Sequence, residues 1–217
     1  MCGRFGFAPR KNLTSRYKIQ IVTGDLIANY NTAPGMMAPV VIKAEEGNEI
    51  VQMKWGLQLG LQKPGSKLFA PINAKSETIF EKPIFSHLLG NRCLIPVIGF
   101  YEWKKNESKK QPYFIHLKED DYFSLAGIYK TIKDEAGLNL STFTILTTSA
   151  NDIMQPIHDR MPVILKKETE DLWLDNKAKV EFDKVFQPFK SELMDIYPVS
   201  NRVNYPMVND EELIKRV

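Results

Sequence analysis

The chain has 217 residues, of which 43% are hydrophobic and 25% are charged, and its formal net charge is +3. These values are typical of a globular protein with a sizeable core, and they exclude disorder, collagen-like repeats and a disulfide scaffold for the chain as a whole. The mild positive charge permits a polyanionic partner without requiring one.

Targeting signals are missing from the sequence. The first twenty residues contain no continuous apolar run, so we expect no signal peptide. No stretch approaches the roughly 20 apolar residues of a membrane-spanning helix. The two cysteines suit a reducing compartment. We therefore expect a cytoplasmic protein, nucleoid-associated if its source is bacterial, with no membrane partner. We also expect a monomer, because nothing indicates a coiled coil.

Hydrophobic patterns and turn residues predict the elements in chain order. The first half is expected to contain a helix over 11–17, strands over 38–44 and 49–55, and a helix over 78–89. Strands follow over 93–103, 113–117, 123–129 and 142–148, with an exposed hairpin loop over 104–111. A capped helical turn at 153–156 and helices over 168–174 and 180–194 complete the chain. Strands dominate the middle and helices the edges. This predicts a single α+β domain over 1–217, with a mostly antiparallel, barrel-like β core flanked by short helices.

Familiar catalytic templates do not occur in this sequence. It has no phosphate-binding glycine loop, no HExxH, no CxxC pair and no GxSxG. Its three histidines, His87, His116 and His158, lack metal-ligand spacing. We therefore expect neither a metal nor a cofactor.

The start of the chain carries the first candidate group, Cys2. Removal of Met1 would leave Cys2 with a free α-amine and a thiol on adjacent carbons. The reference pKa values of these groups are about 7.7–8.0 and about 8.5. The thiol could attack an acyl carbon, or the amine could condense with an aldehyde and the thiol close a thiazolidine ring. The alternative is an unremarkable cysteine at a frayed terminus.

Two further candidates for proton transfer are Glu102 and His158. Glu102 lies among aromatic residues at the end of an apolar run, where partial removal from water suits a carboxylate to acid/base work. His158 lies between polar residues just before another apolar run, and histidine is the usual proton shuttle near neutral pH. A solvent-facing glutamate and a structural histidine are the alternatives.

Asn73 and Lys75 are two residues apart and would share one face of an extended segment. The amide could orient a nucleophile and the cation could hold a phosphate. The alternative is a polar lead-in to the helix predicted next.

These motifs together resemble one family. In chain order they are Met1-Cys2-Gly3-Arg4, Tyr30-Asn31-Thr32-Ala33-Pro34, Trp55-Gly56-Leu57, Asn73-Ala74-Lys75-Ser76-Glu77-Thr78, Arg92-Cys93-Leu94-Ile95-Pro96, Gly99-Phe100-Tyr101-Glu102-Trp103, Ala126-Gly127-Ile128-Tyr129, Ile157-His158-Asp159-Arg160-Met161-Pro162, Pro198-Val199-Ser200 and Val203-Asn204. Over nearly its whole length the chain is similar to the SRAP family, the SOS-response-associated peptidases or abasic-site processing proteins.

The resemblance implies a DNA damage function. It implies that the Cys2 amine attacks C1′ of a ring-opened abasic deoxyribose in single-stranded DNA, with 3′ junctions as a further context, and that the thiol closes a thiazolidine. The covalent DNA–protein crosslink would shield the lesion. By the same resemblance, Asn73 positions Cys2, Glu102 acts as general acid/base and His158 handles protons at the sugar. Removal of Met1 would be the family's autopeptidase step.

The resemblance also implies a DNA-binding set, consisting of Arg4, Asn31, Lys75, Trp103 and Arg160. A cationic groove with stacking side chains is a common way to hold single strands. Two departures concern this set. Family members often carry arginine where Lys75 stands, and tryptophans where Leu61 and Gln62 stand.

Two other functional classes remain open from the sequence. An N-terminal-nucleophile cysteine amidohydrolase or peptidase would use Cys2 on an amide. A non-catalytic reader of modified DNA would use the basic groove and would not need Cys2. Replacing Cys2 by alanine separates the crosslinking protein from the reader.

Overall fold

The structure is a computed structural model that describes residues 2–60, 69–105 and 110–217. Met1, the two positions Leu61 and Gln62, and residues 106–109 of the predicted hairpin loop over 104–111 lie outside these residues. Within the described part of the chain, no helix is long and apolar enough to cross a membrane.

Strands make up most of the regular structure. They are β1 (Phe5–Phe7), β2 (Ile19–Thr23), β3 (Asn29–Thr32), β4 (Met37–Ala44), β5 (Gly47–Trp55), β6 (Asn73–Lys75), β7 (Arg92–Val97), β8 (Gly99–Lys105), β9 (Lys110–Leu117), β10 (Phe123–Lys133), β11 (Asn139–Ser149), β12 (Arg160–Pro162), β13 (Ile164–Leu165) and β14 (Met194–Pro198). The α-helices are short: α1 (Leu13–Arg16), α2 (Pro83–Ser86), α3 (Lys167–Leu174) and α4 (Phe182–Val185). Single 3₁₀ turns occupy Ser76–Thr78, Ser191–Leu193, Asn201–Asn204 and Glu211–Ile214.

Five strands close a barrel. Strands β5, β4, β7, β10 and β11 pair in this order and are antiparallel to their neighbours. The ring closes where β11 runs parallel to β5, with Phe143 opposite Trp55. This confirms the predicted α+β class with a mostly antiparallel, barrel-like core and short flanking helices.

A second sheet carries the start of the chain. Its strand order is β14-β9-β8-β1-β3, and β1 lies between β8 and β3. Phe5 of β1 is buried and packs against Trp55, with 5.0 Å between ring centroids. Trp55 in turn stacks on Phe143 at 6.3 Å. Aromatic packing of this kind adds about 0.5–1.5 kcal/mol per pair beyond area burial, so it anchors the N-terminal strand to the barrel.

The predicted strand over 93–103 is wrong as a single element, because it divides between the two sheets. Strand β7 belongs to the barrel and β8 to the second sheet, and the chain changes sheet at Ile98–Gly99. A Cβ on Gly99 would lie 2.1 Å from the Phe114 ring and 2.7 Å from the Ile115 carbonyl oxygen. Only glycine therefore fits at this position, where β9 of the same sheet lies directly against the start of β8.

The helices predicted over 78–89 and 180–194 are also wrong in extent. In the first of these segments the only α-helix is α2, which begins at Pro83 and ends at Ser86. In the C-terminal segment α4 ends at Val185 and the chain enters β14 at Met194. Proline removes a backbone donor, so Pro188 separates these two elements. The predicted helical turn at 153–156 forms turns only, with the Met154 amide donating to the Asn151 side chain.

Candidate active site

Pairing between β1 and β8 places Cys2. Phe5 lies opposite Phe100, and the Tyr101 amide donates to the Arg4 carbonyl oxygen at 2.9 Å. The chain before β1 therefore continues along β8 toward Glu102. Cys2 is fully buried in the apolar cluster that contains Phe5, and its thiol faces the Arg4 carbonyl oxygen at 3.8 Å.

Asn73 contacts Cys2 directly. It lies in β6, beside β11 and opposite Ile145. Its Nδ2 atom donates to the Cys2 carbonyl oxygen at 2.8 Å, and its buried Oδ1 atom has no hydrogen-bond partner within the described part of the chain. The extended interpretation of this segment is confirmed, since Asn73 and Lys75 lie on one strand. Because Asn73 Oδ1 lies next to the backbone of Cys2, it is placed to accept a hydrogen bond from an N–H group of Cys2.

Glu102 completes this part of the site from β8. Its side chain is buried, as expected for a carboxylate among aromatic residues. Burial raises the pKa of the Cys2 thiol well above its ordinary value, and the negative charge of Glu102 raises it further. The thiol is therefore protonated at neutral pH, and a reaction that needs the thiolate also needs a nearby base.

His158 stands at the end of the turn that precedes β12. The Arg160 amide donates to His158 Nδ1 at 3.0 Å, and Asp159 Oδ1 lies 2.8 Å from the same nitrogen. A neutral ring uses Nδ1 to accept the amide proton, whereas a protonated ring uses Nδ1–H to donate to Asp159. Nδ1 of this half-buried ring therefore has both a backbone donor and a carboxylate acceptor within hydrogen-bond distance.

Arg160 and Lys75 flank β11 from opposite sides. Lys75 is exposed and pairs in register with Thr147, while Arg160 Nη2 donates to the Thr147 carbonyl oxygen at 2.7 Å. Arg160 also makes a bidentate ion pair with Glu77, at 2.5 and 2.8 Å. Hydrogen bonding from Arg160 lowers the pKa of Glu77. The ion pair with Glu77 thus fixes the orientation of the Arg160 guanidinium before any phosphate binds.

Arg4, Asn31 and Trp103 form a second connected group. Arg4 Nη1 donates to Asn31 Oδ1 at 2.6 Å and to the Val203 carbonyl oxygen at 2.8 Å. The Arg4 guanidinium carbon lies 6.0 Å from the centroid of the Trp103 ring, within cation–π range. Asn31 is 0% exposed, so its side chain offers no atom to a ligand and acts on Arg4 instead.

The candidate residues therefore occupy three adjoining places. Cys2, Asn73 and Glu102 form one group, Arg4, Asn31 and Trp103 the next, and His158, Arg160 and Lys75 lie along β11 and its neighbours. Sequence reasoning did not identify two residues that orient this set, Glu77 and Thr147. Glu77 lies in the same short motif as Asn73 and Lys75, and that proximity was the available signal.

Comparisons with known proteins identify the family of this chain. The sequence model of the SOS response associated peptidase (SRAP) family matches residues 1–206. The abasic site processing protein YoqW of Bacillus subtilis is 37% identical over 222 residues, covering 99% of both chains. The abasic site processing protein HMCES of Xenopus tropicalis is 29% identical and covers 82% of this chain and 61% of its own length.

Solved structures show the same fold. A protein from Bacteroides thetaiotaomicron, 28% identical in sequence, superposes with a TM-score of 0.82 over 100% of both chains. A phage-related protein from Bordetella bronchiseptica is 27% identical, with a TM-score of 0.70 over 91% of this chain and 94% of its own. On the family match over residues 1–206, the chain belongs to the SOS response associated peptidase (SRAP) family.

Proposed function

We propose that this protein processes abasic sites in single-stranded DNA by forming a covalent crosslink through Cys2. The observation that carries the proposal is the grouping of Cys2, Asn73 and Glu102, in which an amide holds the Cys2 backbone and a buried carboxylate lies close enough to affect its thiol. The names of the relatives as abasic site processing proteins support the choice of substrate.

The first step is the removal of Met1 by hydrolysis of its peptide bond. While Met1 is attached, the nitrogen of Cys2 is an amide and cannot act as a nucleophile. After hydrolysis the α-amine is free, with a reference pKa of about 7.7–8.0, and a useful fraction is neutral at pH 7. Asn73 Oδ1, the buried acceptor beside Cys2, then holds the new N–H group.

The second step joins the amine to the open-chain sugar. The neutral amine attacks the C1′ aldehyde, and the resulting carbinolamine loses its hydroxyl as water to give a protonated imine. Glu102 supplies the proton that the departing hydroxyl needs. His158 handles protons at the sugar hydroxyl, so that the closed sugar opens to the aldehyde form. General acid/base steps of this kind contribute about 10²–10⁴-fold in rate.

The third step closes the ring. The Cys2 thiol gives up its proton to the Glu102 carboxylate left by the loss of water, the thiolate adds to the carbon of the protonated imine, and the nitrogen keeps its proton as the ring N–H. The product is a five-membered thiazolidine bonded to C1′. Because the attacking sulfur and the imine belong to one residue, the closure is intramolecular and has a high effective concentration. The ring therefore forms readily and protects the lesion from strand cleavage by the imine.

The DNA is held by the two flanking groups. Arg4, Lys75 and Arg160 contact phosphates, Asn31 fixes Arg4 from within, and Trp103 packs on a sugar or base. Contacts of this type depend on ionic strength, with a slope of about −0.7 per phosphate for single strands. We propose that a monomer acts in this way at cytoplasmic or nucleoid DNA, including 3′ junctions, and that the reaction needs neither a metal nor a cofactor.

A denaturing gel tests this proposal. Protein whose N-terminus has been checked by mass spectrometry is mixed with a single-stranded oligonucleotide that carries one abasic site. We expect a shifted band for the wild type and none for Cys2→Ala or for an oligonucleotide without the lesion. Cys93→Ala is the matched control, because Cys93 is also a fully buried cysteine, and this variant should keep the band.

The absence of a band, with Met1 removed, would contradict the crosslinking function. If Cys2→Ala and the wild type then bound abasic DNA equally well, the protein would be a non-catalytic reader. Release of a cleaved product from an added peptide or amide would instead indicate an amidohydrolase or peptidase.

A further inference from the structure

A tight turn beside the candidate site exposes an aromatic ring. The Val208 amide donates to the Tyr205 carbonyl oxygen at 3.0 Å, which closes a four-residue turn with Pro206 in its second position. Proline favours that position, and it restricts the preceding residue to an extended backbone. Tyr205 has the expected angles, φ −96° and ψ 105°. The residue as a whole is 68% exposed, although hydrogen bonds hold its backbone carbonyl.

The side chain of Asn31 holds the backbone of this turn through two hydrogen bonds. Its Nδ2 atom donates to the carbonyl oxygens of Tyr205 and Val208, at 3.0 and 2.8 Å. The Tyr30 amide adds a bond to Asn209 Oδ1 at 2.8 Å. Both ends of the turn are therefore tied to β3, and the backbone that presents the Tyr205 ring is ordered before any ligand arrives.

The turn is continuous with the group that contains Arg4 and Trp103. Asn31 Oδ1 accepts from Arg4, so one buried amide bonds both Arg4 and the turn. The chain just before the turn contacts the same group, since Val203 accepts from Arg4 and Asn204 Oδ1 accepts from Trp103 Nε1 at 2.7 Å. The exposed ring thus stands at the edge of the surface proposed to hold DNA.

We propose that Tyr205 is a stacking platform for the unpaired base next to the abasic nucleotide, an inference that rests on the proposed function. A nucleobase presents a flat aromatic face, and single-strand binding proteins hold such faces on aromatic side chains without reading sequence. Tyrosine suits the task because its ring has only two side-chain torsions to order on binding. Two other exposed aromatic residues occur among the described residues: Phe80 already packs against Phe182 and Phe186, and Phe69 shares no hydrogen bond there with Arg4, Asn31 or Trp103.

The test uses a single-stranded oligonucleotide with a tetrahydrofuran abasic analogue, which has no aldehyde, and 2-aminopurine as the neighbouring base. Stacking quenches 2-aminopurine fluorescence. We expect the wild type and Tyr205→Phe to quench it, and Tyr205→Leu to leave it bright. Loss of one stacked base should weaken binding of this oligonucleotide about 5- to 150-fold.

Two controls separate stacking from structure. Tyr205→Leu should keep the urea unfolding midpoint of the wild type, because the ring is exposed. Leu138→Ala, in the exposed β10–β11 hairpin, should change neither fluorescence nor affinity. Equal quenching and affinity for Tyr205→Leu and the wild type would overturn the inference.

The two proposals fail in different ways. If natural abasic DNA is crosslinked normally while Tyr205→Leu has no effect on the analogue, the function stands and the stacking role is wrong. If Tyr205→Leu loses quenching but the wild type forms no crosslink, the stacking role stands and the crosslinking function is wrong. If the wild type neither binds the analogue nor crosslinks natural abasic DNA, both are overturned.

Discussion

At the scale of single residues, the chemistry depends on two groups of Cys2 that act in sequence. The α-amine forms the imine and the thiol closes the ring, so replacing only the thiol should stop the reaction halfway. Cys2→Ser keeps the α-amine of residue 2, and serine is small enough to allow removal of Met1. We expect no crosslink for this variant on a denaturing gel, but a trapped product when borohydride reduces the imine.

Trapping by borohydride should differ between the two proteins. Wild-type crosslink should form in full without the reductant, because a thiazolidine is not an imine. If Cys2→Ser gave a stable crosslink without borohydride, the thiol would not be the ring-closing group.

Glu102 is the residue proposed to carry protons for both steps. Glu102→Gln keeps the shape of the buried side chain but cannot exchange a proton. We expect the rate of crosslink formation at pH 7 to fall about 100-fold in a gel time course, at the lower end of the range for general acid/base catalysis. Glu119→Gln, a carboxylate outside the site, is the control and should react at the wild-type rate. Equal rates for Glu102→Gln and the wild type would remove Glu102 from the mechanism.

The sequence was informative about the reactive residues and less so about their supports. Cys2, Glu102 and Asn73 have unusual chemistry at recognisable places, and the structure brings them together. Asn31 was expected to belong to the DNA surface, yet it lies buried and bonds Arg4 and the turn at Tyr205–Val208. Tyr205 and Val208 are 174 and 177 positions away from Asn31 along the chain. No local sequence pattern reveals a contact between residues so far apart.

At the scale of elements, the change of sheet at Gly99 sets the site, because it directs β8 and Glu102 toward the N-terminal segment. Gly99→Ala would place a Cβ 2.1 Å from the Phe114 ring. We expect this variant to lower the free energy of unfolding by about 1–3 kcal/mol, the usual cost of overpacking, as measured by urea denaturation. Gly90→Ala is the matched control, because a Cβ there meets nothing within 4 Å. A neutral effect of Gly99→Ala would contradict the close approach of Phe114 in β9 to Gly99.

Elements with strong patterns were predictable, and short ones were not. The apolar runs of β4, β5, β10 and β11 indicated strands that the structure contains. Strands β1 and β6 have only three residues each, too few to show an alternation, although they carry the residues around Cys2 and Asn73. Their extended form comes from pairing with β8 and β11, which is a tertiary effect. The long C-terminal helix failed because Pro188 and the pairing of β14 with β9 outweigh local propensity.

At the scale of the whole molecule, we propose that the chain from 1 to 217 unfolds as one domain and loses stability at alkaline pH. Burial raises the pKa of Cys93, Tyr17 and Tyr101 in the folded state. In the unfolded chain these groups ionise near their ordinary values, 9.0 for cysteine and 10.0 for tyrosine. Their contribution is therefore complete below these values and is lost as the pH rises above them, at about 1.4 kcal/mol per pH unit for each group.

Urea unfolding at several pH values between 7.5 and 10.5 measures this loss. Cys93→Ala removes one of the buried thiols, so its free energy of unfolding should fall less steeply above pH 9 than that of the wild type, by about 1.4 kcal/mol per pH unit. Identical slopes for the two proteins would show that Cys93 ionises normally in the folded state.

The most direct test of the central claim is to identify the atom that holds the DNA. The crosslinked complex is digested with nuclease and trypsin, and the N-terminal peptide Cys2-Gly3-Arg4 is examined by mass spectrometry. We predict this peptide without Met1, carrying the abasic sugar with the loss of one water and gaining no hydrogen after borohydride treatment, as a thiazolidine requires. A sugar bonded to a lysine, or to a peptide that still begins with Met1, would contradict the account.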